Sequence, residues 1–166
     1  MQTDPIRIRP AAVSDADVFL SLVDALADYE ELARPTPDAR ERLLRDGFGP
    51  EPRFRAFLVE LEGRAVGYAI TFETYSSFLA LPTLYLEDLF VLPEARRHGV
   101  GSAVFRFLAG EAARRGCGRM EWTVLDWNQL AIDFYEKLGA RRMREWHAYR
   151  LTADQLRELA ARGKTG

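Results

Sequence analysis

Apolar and polar residues change period several times along the chain, and each change marks an element. Residues 6–9, IRIR, alternate with period two, the pattern of a short strand with one wet face. From Ser14 the period lengthens. Ser14 with Asp17 forms a capping box, and Phe19, Leu22, Val23 and Leu26 then recur at helical spacing up to Tyr29. Thr36 before Pro37 starts a second, shorter helix that buries Leu43 and Leu44 and closes at Gly47. Residues 54–60, FRAFLVE, and 64–72, RAVGYAITF, flank a Glu62-Gly63 turn and read as an antiparallel hairpin. Residues 73–84 lack a clear period and contain Pro82, so they read as a loop near the functional site.

The second half repeats this alternation of periods. YLEDLFV, residues 85–91, is a strand bounded by Pro93. A helix follows from about Ser102, with Val104, Phe105, Leu108 and Ala112 as its buried stripe and Gly116 as its stop. MEWTVL, residues 120–125, returns to strand. Residues 129–138 form a short helix carrying Ala131, Ile132, Phe134, Tyr135 and Leu138, ended by Gly139. EWHAYRL, residues 145–151, reads as a final strand, and the tail from Asp154 as a terminal helix. This order predicts an α/β (α+β) fold, a mixed sheet with helices over its faces. No internal repeat, low-complexity tract or linker interrupts it.

Composition narrows the functional classes. A chain of 166 residues that is 48% apolar fits one packed domain, expected to span residues 1–166. Its 23 basic and 25 acidic residues interleave to a net charge of −2, without the basic runs a nucleic-acid binder needs. No apolar run approaches the ~20 residues that cross a bilayer, and MQTDPIRIRP has no signal-peptide core, so a cytoplasmic protein with no membrane partner is expected. Cys117 alone forms neither an internal disulfide nor a cysteine metal cluster. His98 and His147 are far apart and lack His or acidic neighbours at ligand spacing, so no metal is expected and both read as solvent-exposed.

Candidate chemistry begins at residues 95–109, ARRHGVGSAVFRFLA, where two glycines stand directly before a helix. A P-loop needs Lys then Ser or Thr after its last glycine, and Gly101 is followed by Ser102 with no Lys nearby. A dinucleotide fingerprint counted from Gly99 would need a sixth-position glycine, where Val104 stands. What remains is Arg96-x-x-Gly99-x-Gly101, a turn whose bare amides converge at a helix N-terminus that favours an anion such as a pyrophosphate. The competing reading is a glycine turn that only caps a helix.

Farther on stands NQLAIDFYEKLGA, beginning at Asn128. Together with LEDLFVLPEARRHGVG it resembles the GNAT superfamily of acyl-coenzyme A dependent N-acetyltransferases, over nearly the whole chain from IRIRPA to YRL. Through YLEDLFV, VLDWN, DFYEKLGA and LADYEE it resembles in particular the diamine (spermidine/spermine, thialysine) N-acetyltransferase group. The resemblance implies a mostly antiparallel central sheet with helices on both faces and splayed central strands. It implies acetyl-CoA as co-substrate, its pyrophosphate held by the turn of Arg96, Arg97, His98, Gly99, Val100, Gly101 and Ser102. The strand edge at Leu89, Phe90 and Val91 would pair with the pantetheine, and Asn128 and Ala131 would help hold it, although Asn128 also reads as a plain helix N-cap.

The resemblance also distributes catalytic roles. Tyr135 matches the family's general acid, a phenol that stays protonated until a thiolate develops. Glu87 and Asp88 stand mid-strand among apolar residues, and strict alternation points them to opposite faces. Either is open to a salt-bridge or edge-charge role. In the functional reading Glu87 faces the cleft and takes a proton from the arriving ammonium, directly or through water, while Asp88 attracts the cation. Tyr29 and Glu30 match the group's substrate-contacting pair, with a solvated helix end as the alternative for Glu30. Trp122 lines the same channel or fills core. The expected activity is acetyl transfer to a primary amine of a small cationic substrate, by a homodimer. The rival readings are a non-catalytic acyl-CoA-binding regulatory module and a protein or peptide N-acetyltransferase.

Overall fold

The computed structural model describes residues 5–162. The chain folds into two compact units, the first running to Leu125 and the second starting at Asp126. In the first, β1 (Ile6–Pro10) leads through a 3-10 turn (Val13–Asp15) into α1 (Ala16–Tyr29) and α2 (Pro37–Phe48). Then come β2 (Arg55–Leu61), β3 (Arg64–Ser76), β4 (Leu81–Val91), a 3-10 turn (Pro93–Ala95), α3 (Val100–Arg114) and β5 (Arg119–Trp122). Among the described residues the strands form one sheet in the order β1-β2-β3-β4-β5, antiparallel except for the parallel β4–β5 pair. That is the mixed, mostly antiparallel sheet expected.

Each face of the sheet is covered. On one, Phe19 of α1 sets its ring edge-on to Tyr68 of β3 and to Phe48 of α2, both at 5.5 Å, above Ala56, Leu58, Ile70 and Phe90. On the other, α3 buries the expected stripe of Val104, Phe105, Leu108 and Ala112, and Phe107 meets Phe57 edge-on at 5.1 Å. The Glu62-Gly63 turn has both residues in the left-handed region (φ 51° and 79°), the geometry of a tight hairpin.

Several sequence expectations need correction. The capping box is closed not by Ser14 and Asp17 but by Asp15, whose carboxylate accepts from the Ala12 amide at 2.8 Å and from Arg9 at 2.7 and 2.9 Å. That Arg9 pair holds the Asp15 carboxyl down at about 2. Helix α2 runs through Gly47 to Phe48, and α3 starts two residues before Ser102. Residues 73–84 are no loop: β3 and β4 continue as a long hairpin whose turn is only residues 77–80, with Pro82 opposite Tyr75. Strand β5 stops at Trp122.

In the second unit, α4 (Gln129–Lys137) and α5 (Ala153–Ala161) are the regular elements. The Asn128 side chain accepts from the Ala131 amide at 3.3 Å, and Gly139 ends α4 at φ 88°. Thr152 and Gln155 form a capping box for α5. Residues 145–151 form no strand, because their period-two pattern has no ladder partner among the described residues. No helix among the described residues is long and apolar enough to cross a membrane.

Candidate active site

The site is organised by an irregularity in β4. Ile70 pairs with Asp88 and Thr71 with Leu86, which leaves Glu87 as an extra residue, a β-bulge. Simple alternation would send Glu87 and Asp88 to opposite faces. The bulge cancels one step, and both carboxylates line one cleft of about 450 Å³ with Leu43, Arg53, Phe54, Ile70 and Phe72. A hollow of about 420 Å³ in the second unit is bordered by Arg142, Arg144 and His147, cationic or neutral groups unsuited to an ammonium ion.

The two carboxylates differ in surroundings. Glu87 is exposed, whereas Asp88 is half-buried and accepts a hydrogen bond from the Tyr68 hydroxyl at 3.1 Å. Burial pushes the Asp88 carboxyl up to about 6; the Tyr68 bond opposes this, and the charges of Glu87 and Glu30 add to it. Burial likewise raises Glu30, and burial with the Asp88 charge drives the Tyr68 phenol far above its ordinary value. Tyr68 escaped the sequence reading as a site residue. Its signal was there, an inward tyrosine in an apolar strand whose hydroxyl needs a partner.

Tyr29 ends α1 with its ring 6.0 Å from that of Phe90. The guanidinium of Arg96 sits 4.6 Å from the Tyr29 ring centroid and 5.7 Å from that of Phe90, and its Nε donates to the Val91 carbonyl at 2.8 Å. Arg96, expected in the pyrophosphate turn, thus turns its side chain back against Tyr29 and Phe90. Trp122 lies on the opposite side of the sheet, edge-on to Phe105 at 5.1 Å, and of its two readings packing is the one this geometry carries.

Next to the cleft the sheet opens. Pairing of β4 with β5 ends at Leu86 and Trp122, so among the described residues the stretch from Glu87 to Val91 has no neighbour strand on that edge. Leu92 donates to Val66 of β3 at 2.8 Å. By antiparallel alternation Leu89 and Val91 therefore present their peptide groups to the open edge, while Phe90 bonds toward β3. The turn beyond begins with Arg97 and Gly99 in the left-handed region (φ 66° and 76°), an arrangement that brings successive amides to one side. Helix α3 starts at Val100, whose side chain is buried, and its first turn holds no acidic residue. The amides of Val100, Gly101 and Ser102 lack intrahelical acceptors. Arg97 and His98 are exposed, and a Cβ built on Gly99 meets nothing within 4 Å. Bare amides, open space and an unpaired strand edge fit a diphosphate followed by an extended amide chain.

In the second unit, Tyr135 lies mid-way along α4, half-buried, with its ring 5.6 Å from that of Phe134. Ala131 is in the first turn of the same helix, behind the Asn128 cap.

Comparison with known proteins agrees with this architecture. The Acetyltransferase (GNAT) family pattern matches residues 19–140. Thialysine N-epsilon-acetyltransferase of Sus scrofa is 36% identical over 95% of this chain and 98% of its own. Spermidine/spermine N(1)-acetyltransferase-like protein 1 of Homo sapiens is 30% identical over 95% of this chain and 24% of its own. Among solved structures, an integron cassette protein from the mobile metagenome of V. cholerae superposes with a TM-score of 0.77 at 22% identity, covering 95% of this chain and 99% of its own. The sheet that opens beside a glycine turn is thus the fold of a known enzyme group: the chain belongs to the GNAT acetyltransferase family and is an N-acetyltransferase, for which that family implies acetyl-CoA as co-substrate.

Proposed function

We propose that the protein transfers the acetyl group of acetyl-CoA to a primary amine of a small cationic substrate, of the polyamine, diamine or thialysine type. The observation that carries this reading is the bulge that turns Glu87 and Asp88 into one cleft, with Glu30 close enough for its charge to act on Asp88. Such a cleft attracts and holds an alkylammonium ion. Relatives named for thialysine and matched over nearly their full length support the same class.

The amine attacks the thioester carbonyl directly. At neutral pH an alkylammonium of pKa ~10.4 must first lose a proton, and exposed Glu87 takes it, directly or through water. Tyr135 donates its phenolic proton to the departing thiolate, a role supported by the family resemblance around NQLAIDFYEKLGA. The amides of residues 97–102 hold the pyrophosphate and the open edge at Leu89 and Val91 pairs with the pantetheine. Homodimer assembly and a single functional domain over 1–166 belong to the same reading.

The test is free-thiol release from acetyl-CoA with spermidine, putrescine, thialysine, lysine and a peptide, using wild type, Glu87→Gln and Tyr135→Phe. Turnover on the small amines, lowered about 10²-fold in each variant with acetyl-CoA binding retained, is expected. Turnover on the peptide alone would transfer the protein to the peptide-acetylating class, and unchanged rates in both variants would remove the two assignments.

A further inference from the structure

Tyr68 is fully buried and cannot swing. Its ring is edge-on to Phe19, which is itself edge-on to Phe48, so three aromatic rings from β3, α1 and α2 lock one another. The only polar atom of that side chain donates to Oδ2 of Asp88, which itself lines the cleft. Asp88 is thereby tied to a ring cluster packed in the core, while Glu87, on the bulge beside it, is exposed. We propose that Tyr68 is a positioning residue for amine binding: its hydroxyl, fixed by the core, holds the Asp88 carboxylate in place as the anionic anchor of the cleft. This inference rests on the amine-acetylating function proposed above.

The charged surroundings make the role measurable. Asp88 faces Tyr68 from β3, Glu87 from its own strand, Glu30 from the end of α1, and Arg53 from the segment before β2; Arg96 lies farther along the same face, over Phe90. Burial and the two glutamates favour a protonated, neutral Asp88, and the Tyr68 hydroxyl works against them. Removal of that hydroxyl therefore raises the proton affinity of Asp88 and reduces the charge available to an ammonium ion near neutrality. A hydroxyl that merely filled the core would leave the titration of Asp88 and the affinity for amine where they were.

The experiment uses the full chain, with spermidine as probe. The carboxyl carbon of Asp88 is titrated by 13C NMR in wild type and Tyr68→Phe, and KM for spermidine and for acetyl-CoA is measured from about pH 5 to pH 8. Tyr68→Phe is expected to move the Asp88 midpoint up by about half a unit or more and to raise the spermidine KM about threefold at mildly acidic pH. The KM for acetyl-CoA stays unchanged. In an Asp88→Asn background, Tyr68→Phe adds no further rise in spermidine KM. An Asp88 midpoint indifferent to Tyr68→Phe, a variant altered only in melting temperature, or an undiminished effect on top of Asp88→Asn would each overturn the inference alone. A wild type that acetylates none of the amines would overturn the substrate class and the anchoring role together.

Discussion

Burial sets the charge of Asp88 against folding. Its carboxyl titrates near 6 in the folded chain against an ordinary 3.8. Below that ordinary value both states are protonated and the residue contributes nothing. Between the two values only the folded state keeps the proton, so stability falls as pH rises, and above about 6 the whole penalty is in force. Asp88→Asn is therefore expected to stabilise the protein by about 1–2 kcal/mol at pH 8, discounted for partial solvent screening, and by almost nothing at pH 4. Thermal melts at the two pH values check this, and an equal gain at both would mean that charge is not the cause. At this scale the sequence was half legible. The candidate acids and glycines stood out in YLEDLFV and RRHGVG, but the partnership of Tyr68 with Asp88 spans twenty positions and exists only through strand register.

The element that decides most is β4, held to β3 by an unusually close approach. A Cβ on Gly67 would stand 2.4 Å from the Phe90 carbonyl oxygen, so only glycine lets the strands meet there. Gly67→Ala is expected to cost about 2 kcal/mol or more, to lower the melting temperature, and to weaken acetyl-CoA binding because the Leu89–Val91 edge shifts with the strand. Calorimetric melts and acetyl-CoA titrations measure both; a variant with unchanged stability and affinity would remove Gly67 from the argument. Helices with a clean period, such as α1 and the α3 stripe, were readable because one face of each is buried and the other wet, whereas β2 was readable as a short apolar run buried on both faces beside a turn signal. The 73–84 segment was not, since its hairpin tip leaves Tyr75, Phe78 and Leu79 exposed and blurs the alternation. Residues 145–151 have a strand's pattern without a strand's partner, and pattern alone does not make a ladder.

Over the whole molecule the net charge is only −2, so any attraction of a cationic amine comes from the local concentration of Glu30, Glu87 and Asp88 rather than from a general field. Added salt is expected to raise the KM for spermidine more steeply than that for a monoamine, while the KM for acetyl-CoA is expected to respond differently under the proposal that its anionic end meets backbone amides. Parallel salt curves for the two amines would contradict an acidic cleft. Element order alone made the mixed sheet with helices over its faces legible, while its mostly antiparallel character came from the family resemblance. What order could not convey was the bulge, because a single surplus residue leaves no trace in hydropathy. Excision of Glu87 would leave Leu86 opposite Thr71 and Asp88 opposite Ile70, so it would restore regular pleating with every other pair kept and remove the one carboxylate that the surplus position sets beside Asp88. Anyone grafting this cleft onto another sheet must therefore transplant the supernumerary position along with the two acids, for the chemistry is encoded in a count of residues as much as in their kinds.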